Sequence, residues 1–476
     1  MNDSLGRQTI RGVGWSAIER LSYQGITFII QIVLARHLTP DDYGVVAMLA
    51  IFLQIAQVFI DSGFANALIK KQDCTDADYS TVFHYNLGIA LLLYFMLFWA
   101  SSAIATFYNT PLLVPILRVL ALTLIFNALS IVQQTILVKR VDFKSQSVVT
   151  FSSAVVSGAV GIFFACRGLG PWALVIQQLL NSILRTVLYW FVVRWMPKLV
   201  FSLTSFRYLF GFGSKLLASI LIDVVYKNIY KLVIGKRFLE RDLGFYTKAE
   251  EFAIFPSTNA AKIISRVCFP ILSGISDGAH LSKAYCSIMR YSSLVVFPMM
   301  AGLFAISEPF IITFLKESWA SVVPLLRILC LDWMMDFICA MNLNLFYVKG
   351  RTDLVLRMQI IKTIIAVSIL FVSMPFGLVA MCWGRVVYSA ISVSMIFHYT
   401  KKIMGLGFFM QLSNIIPFML ASTVMGTSVY FIIGQISCSQ PVRLVLGLMV
   451  GIVVYTLVSL IFFRREIKGI RNIRHI

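Results

Sequence analysis

Charge is what this chain has least of. Lysine, arginine, aspartate and glutamate together make up 13% of its 476 residues, against about 25% in a soluble domain. Hydrophobic residues make up 59%, and the mean hydropathy is +0.85. A soluble protein of this length needs far more polar surface to cover its core. The scarcity of charge therefore excludes a soluble fold and indicates a polytopic, all-helical membrane protein. Other absences narrow the chemistry. The eight cysteines form no CxxC pair and no Cys/His cluster, so they are read as packed, reduced thiols, and no metal site is expected. No phosphate-binding P-loop, no HExxH and no GxSxG in a usable context occurs, so ATP hydrolysis and hydrolase chemistry have no support and the chain is not expected to be an enzyme. The opening residues, MNDSLGRQTIRG, are polar, and the apolar segment after them is long enough to span. A first membrane helix is expected there and not a cleaved leader.

What the sequence does have is fourteen helix-length apolar runs joined by short connectors, the first near 13–35 and the last near 442–463. The net charge of +20 is unevenly placed. Twenty-one lysines and arginines fall in the two tails and in every second connector, including Lys70, Lys71, Lys139, Arg140 and Lys349. The opposite connectors hold six, among them Arg36, Lys236 and Arg237. By the positive-inside rule, fourteen helices with both termini cytoplasmic are expected.

The chain also repeats itself. "LARHLTPDDYGVVAM" (Leu34 to Met48) is echoed by "IGKRFLERDLGFYTK" (Ile234 to Lys248), so that Asp42 aligns with Asp242 and Gly44 with Gly244. "PILRVLAL" from Pro115 is echoed by "PLLRILCL" from Pro324, and "GPWAL" from Gly170, more weakly, by "GLVAM" from Gly377. The echoes are in order and 200 to 210 residues apart. They predict two six-helix lobes, 1–200 and 201–400, followed by two extra helices and a basic tail over 401–476. Both lobes start on the same side, which makes them parallel repeats of the kind found in secondary transporters.

Charges inside the apolar runs are costly and each invites a role. In the seventh run Lys215, Asp223, Lys227 and Lys231 share one helical face at spacings that are multiples of four. They read either as a polar face on an aqueous cavity or as an Asp223–Lys227 pair with snorkelling lysines. Asp332 and Asp336, four apart in the tenth run, suit a cation or proton site, or else salt bridges to neighbouring helices. Arg118 and Arg327 occupy equivalent positions in the two repeats, and Arg385 lies deeper in the twelfth run. Glu250 adds an acid in the eighth. The excess of embedded cations suits an anionic substrate, and the acids Asp223, Glu250, Asp332 and Asp336 suit ion coupling.

Several of these segments resemble one family. "GVGWSAIERLSYQGITFIIQIVLARHLTPDDYGVVAM" is similar to the opening of polysaccharide-synthesis flippases, with a Trp-bearing first helix running into an LAR-L-P-x-x-[FY]-G turn. "DSGFANALIKK", "VKRVDFK" and the "G-PWALV" of the sixth run also resemble it. The family lies in the multidrug/oligosaccharidyl-lipid/polysaccharide exporter superfamily. The subgroup most similar exports lipid-linked repeat units for colanic-acid-type exopolysaccharide, capsule or O-antigen.

The resemblance implies a flippase of the bacterial inner membrane. Its substrate would be an undecaprenyl-pyrophosphate-linked oligosaccharide, moved by alternating access through a cationic cavity. It would use no cofactor beyond a proton or sodium gradient. A polysaccharide polymerase and a chain-length regulator would be its protein partners, and nucleic acid would not be one. On that reading Lys227, Lys231, Arg118, Arg327 and Arg385 would meet the pyrophosphate. The alternatives are a lipid II flippase, a drug/cation antiporter of the same superfamily, and a membrane glycan polymerase or ligase, although the latter would be expected to carry a long outer loop that is missing here.

Overall fold

The structure is a computed structural model that describes residues 24–464 except 62 and 276; at 212, 214–216, 218, 219, 267, 269, 270 and 352 only the backbone is described. The start of the first expected helix, Lys215's side chain and the basic C-terminal tail thus lie outside the described residues.

Every regular element among the described residues is helical. α1 covers 24–37. It is followed by α2 (Pro40–Asp61), α3 (Phe64–Lys70), α4 (Asp76–Tyr108), α5 (Leu113–Leu120), α6 (Leu122–Lys139), α7 (Phe143–Cys166), α8 (Pro171–Val193) and α9 (Leu203–Arg237). Then come α10 (Glu240–Ser273), α11 (Gly278–Leu315), α12 (Val322–Trp333), α13 (Asp336–Val348), α14 (Thr352–Ser373), α15 (Leu378–Met404), α16 (Phe408–Ser413), α17 (Ile416–Gln435) and α18 (Gln440–Phe462). The chain forms two compact units, Met1–Gly244 and Phe245–Ile476. In the first, α2 packs on α9 and α7 on α8; in the second, α11 packs on α17 and α18, and α12 on α15.

Nine stretches among the described residues are long and apolar enough to cross a membrane, from Pro40–Lys70 to Gln440–Phe462. The first expected span lies largely outside the described residues, and the others are more polar or interrupted. α8 carries Gln177, Gln178, Asn181 and Arg185, α9 and α10 carry the embedded charges, and α12 and α13 are separate helices.

The repeated hinge has a capping role. The Asp42 carboxylate accepts from the backbone N–H of Thr39 at 2.8 Å and from its hydroxyl at 2.8 Å. Asp242 accepts from the N–H of Leu239 at 3.3 Å. Each aspartate, three residues into its helix, thus satisfies the free N–H at the start of α2 or α10. The glycines serve close approach. A Cβ on Gly44 would stand 1.8 Å from the Glu240 carbonyl oxygen, and one on Gly244 would stand 1.9 Å from that of Pro40. The two copies of the hinge therefore pack on each other reciprocally, inside the first unit. Thr110 donates to Glu240 at 2.6 Å and Lys236 to the carbonyl of Phe107, docking the second copy on the end of α4.

Two long runs are broken, though not at equivalent residues, since the repeat aligns Ala121 with Cys330 inside α12. The fourth divides into α5 and α6 at Ala121, and the tenth divides into α12 and α13 at Met334–Met335. This corrects the expectation that Asp332 and Asp336 share one continuous helical face. Asp332 ends α12 and Asp336 opens α13. The Ser257 hydroxyl donates to the Trp333 carbonyl at 2.7 Å, satisfying a backbone group beside the break.

Candidate functional site

Three largely buried charges of the second unit form one cluster. Arg385 on α15 donates through Nε to Asp332 Oδ2 at 2.8 Å and through a terminal nitrogen to Glu250 Oε1 at 2.5 Å. The same nitrogen donates to the Tyr246 hydroxyl, Ser389 donates to the other Asp332 oxygen, and the Trp333 ring lies 5.4 Å from the guanidinium. The side chains of Arg385, Glu250 and Asp332 are 15%, 6% and 7% exposed. Three helices, α10, α12 and α15, thus place two carboxylates on one guanidinium. Two of the residues expected to couple ions and one expected to bind the substrate anion are partners of each other.

Arg118 and Arg327 are held alike in the two units. Arg118 Nε donates to Ser101 at 3.1 Å, and Arg327 Nε donates to Ser307 at 2.9 Å. Both serines are buried, and each donates in turn to a phenylalanine carbonyl three residues earlier, Phe98 at 2.6 Å and Phe304 at 2.9 Å. The aromatic neighbour differs. Arg118 lies over Phe98 at 4.2 Å, whereas Arg327 lies over Tyr430 of α17 at 5.2 Å and reaches Glu308 at 3.5 Å.

On α9, Lys227 pairs with Asp223 at 2.6 Å, and the two side chains are 65% and 46% exposed. One position along, buried Asn228 donates to Gln54 of α2 at 2.8 Å and fixes the helix. An open charged pair is stable in contact with water and costly in hydrocarbon. Lys231 lies one turn further along α9, and Asp336 lies across the break from Asp332, as the first residue of α13.

Reading by charge missed a second feature of the first unit. A cavity of about 440 Å³ is lined by Gln54, Gln57, Asn127, Gln177, Gln178 and Asn181 and, among the described residues, by no charged side chain. Its signal was present as amides in apolar runs, "FLQIAQVF" and "VIQQLLNSIL". The second unit has, in addition, an apolar groove of about 630 Å³ between Phe418, Leu420, Val424 and Phe462, with Arg290 and Asn414 at its polar edge. Arg290 Nε donates to Asn414 Oδ1 at 2.6 Å.

Known proteins resemble this arrangement in sequence and in fold. The chain is 28% identical over 397 residues to the teichuronic acid biosynthesis protein TuaB of Bacillus subtilis, covering 82% of this chain and 81% of that one. It is 26% identical to the lipopolysaccharide biosynthesis protein WzxC of Escherichia coli, covering 76% and 74%. Its fold matches the lipid II flippase MurJ in an inward closed conformation with a TM-score of 0.78 at 14% identity, over 95% of this chain and 99% of that one. It also matches a multidrug resistance transporter of the MATE family in an inward-facing conformation with a TM-score of 0.62 at 15% identity, over 82% of this chain and 98% of that one. Residues 33–324 match the family described as polysaccharide biosynthesis protein, and the chain belongs to that family.

Proposed function

We propose that this protein is a flippase, and not an enzyme, that carries an undecaprenyl-pyrophosphate-linked oligosaccharide across the inner membrane for exopolysaccharide, capsule or O-antigen synthesis. Fourteen spanning helices with both termini in the cytoplasm complete the reading. The observation that carries it is the amphiphilic groove of the second unit. Its aromatic and aliphatic walls suit a polyprenyl chain, and Arg290 at its edge suits the adjoining anionic headgroup. The sequence relatives named for teichuronic acid and lipopolysaccharide biosynthesis support the same substrate class.

Lys227 and Lys231 are the cations best suited to the pyrophosphate. They stand on the α9 face that carries an open charge pair, and several weak contacts let an anion both bind and leave. Arg118 and Arg327, with only part of their donors engaged, serve as further contacts on its route. The Arg385 cluster suits the coupling step. A proton on Glu250 or Asp332, or a sodium ion drawn to them, would weaken their hold on the guanidinium and let α10, α12 and α15 shift, with Asp336 and Asp223 as neighbouring acids. The freed Arg385 then becomes a cation for the substrate.

A lipid II flippase is the second reading, favoured by the fold match to MurJ. Deletion in the native host separates the two. The lipid-linked repeat unit of a surface polysaccharide should accumulate on the cytoplasmic face. Accumulation of lipid II with normal surface polysaccharide would instead support the second reading.

A further inference from the structure

The amide-lined cavity of the first unit has no role in the reading above, and its chemistry is specific. Among the described residues its lining carries neither a cation for phosphate nor a carboxylate for a cation. Its internal bonds leave complementary groups over. Asn127 donates to Gln57 Oε1 at 3.0 Å and Asn228 to Gln54 Oε1 at 2.8 Å, so both glutamines keep their N–H₂ donors. Asn181 donates to Ser157 at 3.1 Å and keeps its carbonyl as an acceptor. Gln177 and Gln178 make no side-chain hydrogen bond to the described residues and retain both functions. Ile30, Leu53 and Leu124 supply an apolar wall beside them.

Neighbouring donors and acceptors without charge, set against an apolar wall, match a sugar ring. Each hydroxyl both donates and accepts, and the ring has a C–H face. The volume of about 440 Å³ lies within the range of small-ligand pockets, roughly 300–1,000 Å³. Gln57 also lines a second cavity of about 330 Å³ with Asp61, Gln134 and Thr135, which continues the polar path toward the Asp61 end of α2.

We infer that this cavity is a saccharide-binding subsite that takes the neutral part of the glycan. Gln177, Gln178 and the N–H₂ groups of Gln54 and Gln57 bind hydroxyls there. Its place in transport rests on the flippase reading, but the binding itself does not.

The test is saturation-transfer NMR on the purified full chain in detergent. One probe is the oligosaccharide released by mild acid from the host's lipid-linked pool. The other is farnesyl pyrophosphate, an anionic prenyl headgroup without sugar. Wild type should saturate the sugar ring protons. Gln178→Leu and Gln177→Leu, which break no internal hydrogen bond among the described residues, should weaken oligosaccharide binding at least tenfold and leave farnesyl pyrophosphate binding unchanged. Gln178→Asn, which keeps the amide, should lose less. Size-exclusion profiles equal to wild type exclude misfolding. Wild type that does not bind the oligosaccharide, or leucine variants that bind it equally or lose both probes together, would overturn the subsite. Should the host deletion strain export glycan normally while wild type still binds sugar, the transport reading falls and the subsite stands.

Discussion

Arg385 shows why charge identity is a poor guide to role when read alone. It, Glu250 and Asp332 were each visible as embedded charges, but they lie 53 and 135 residues apart in the chain. Nothing local announces that one guanidinium serves both acids. A buried pair that loses one partner leaves an uncompensated charge, at a cost of about 3–5 kcal/mol. Arg385→Met should therefore lower the melting temperature of the purified protein clearly. Adding Glu250→Gln and Asp332→Asn should restore most of it. Lys227 is the opposite case. Exposed pairs contribute about 0–1 kcal/mol, so Lys227→Gln should leave melting nearly unchanged while reducing glycan export, with Lys227→Arg milder. A large fall in thermal stability for Lys227→Gln would make that lysine structural. The amides of the first unit escaped a search conducted by charge, although a glutamine pair in an apolar helix is as unusual in lipid as a lysine.

At the scale of elements, the hinge was legible as a repeat and its meaning was not. Asp42 and Asp242 align in the echo, and the structure makes both of them helix caps. Gly44 and Gly244 align in the same way. They lie inside α2 and α10, and each admits the backbone of the other hinge copy. Gly44→Ala should thus sharply reduce folded, detergent-stable protein, because its Cβ has only 1.8 Å to the Glu240 oxygen. Gly88→Ala, with nothing within 4 Å, should be neutral or slightly stabilising. Fluorescence-detected size exclusion compares the two. The breaks at Ala121 and Met334–Met335 contain neither proline nor glycine. Long-range partners such as Ser257 accompany the second, so no local signal could have shown it.

Over the whole molecule the sequence was most informative, because membrane constraints act through composition. Length, scarcity of charge and the uneven placement of lysine and arginine led to an all-helical membrane protein, and segments near 12–48 and 170–175 to a polysaccharide-synthesis family. α8, α9 and α10, which are less apolar than the nine candidate spans, carry Gln177, Gln178, Asn181, Lys227, Lys231 and Glu250, whereas Gln54, Gln57, Arg118 and Arg385 lie within candidate spans, as polar groups facing a transport path would. The topology has a direct check. A single cysteine at Lys236 should label from outside and one at Lys70 from inside, and inside labelling at Lys236 would overturn the orientation. The central claim is transport of a lipid-linked glycan. Its most direct measurement uses proteoliposomes loaded with the host's polyprenyl-pyrophosphate oligosaccharide, scored by exposure of the inner-leaflet sugar to added glycosidase. Wild-type vesicles should expose nearly all of it within minutes, and Lys227→Gln/Lys231→Gln vesicles should expose little more than the outer half. Protection equal to protein-free vesicles, with and without proton or sodium gradients, would contradict the account.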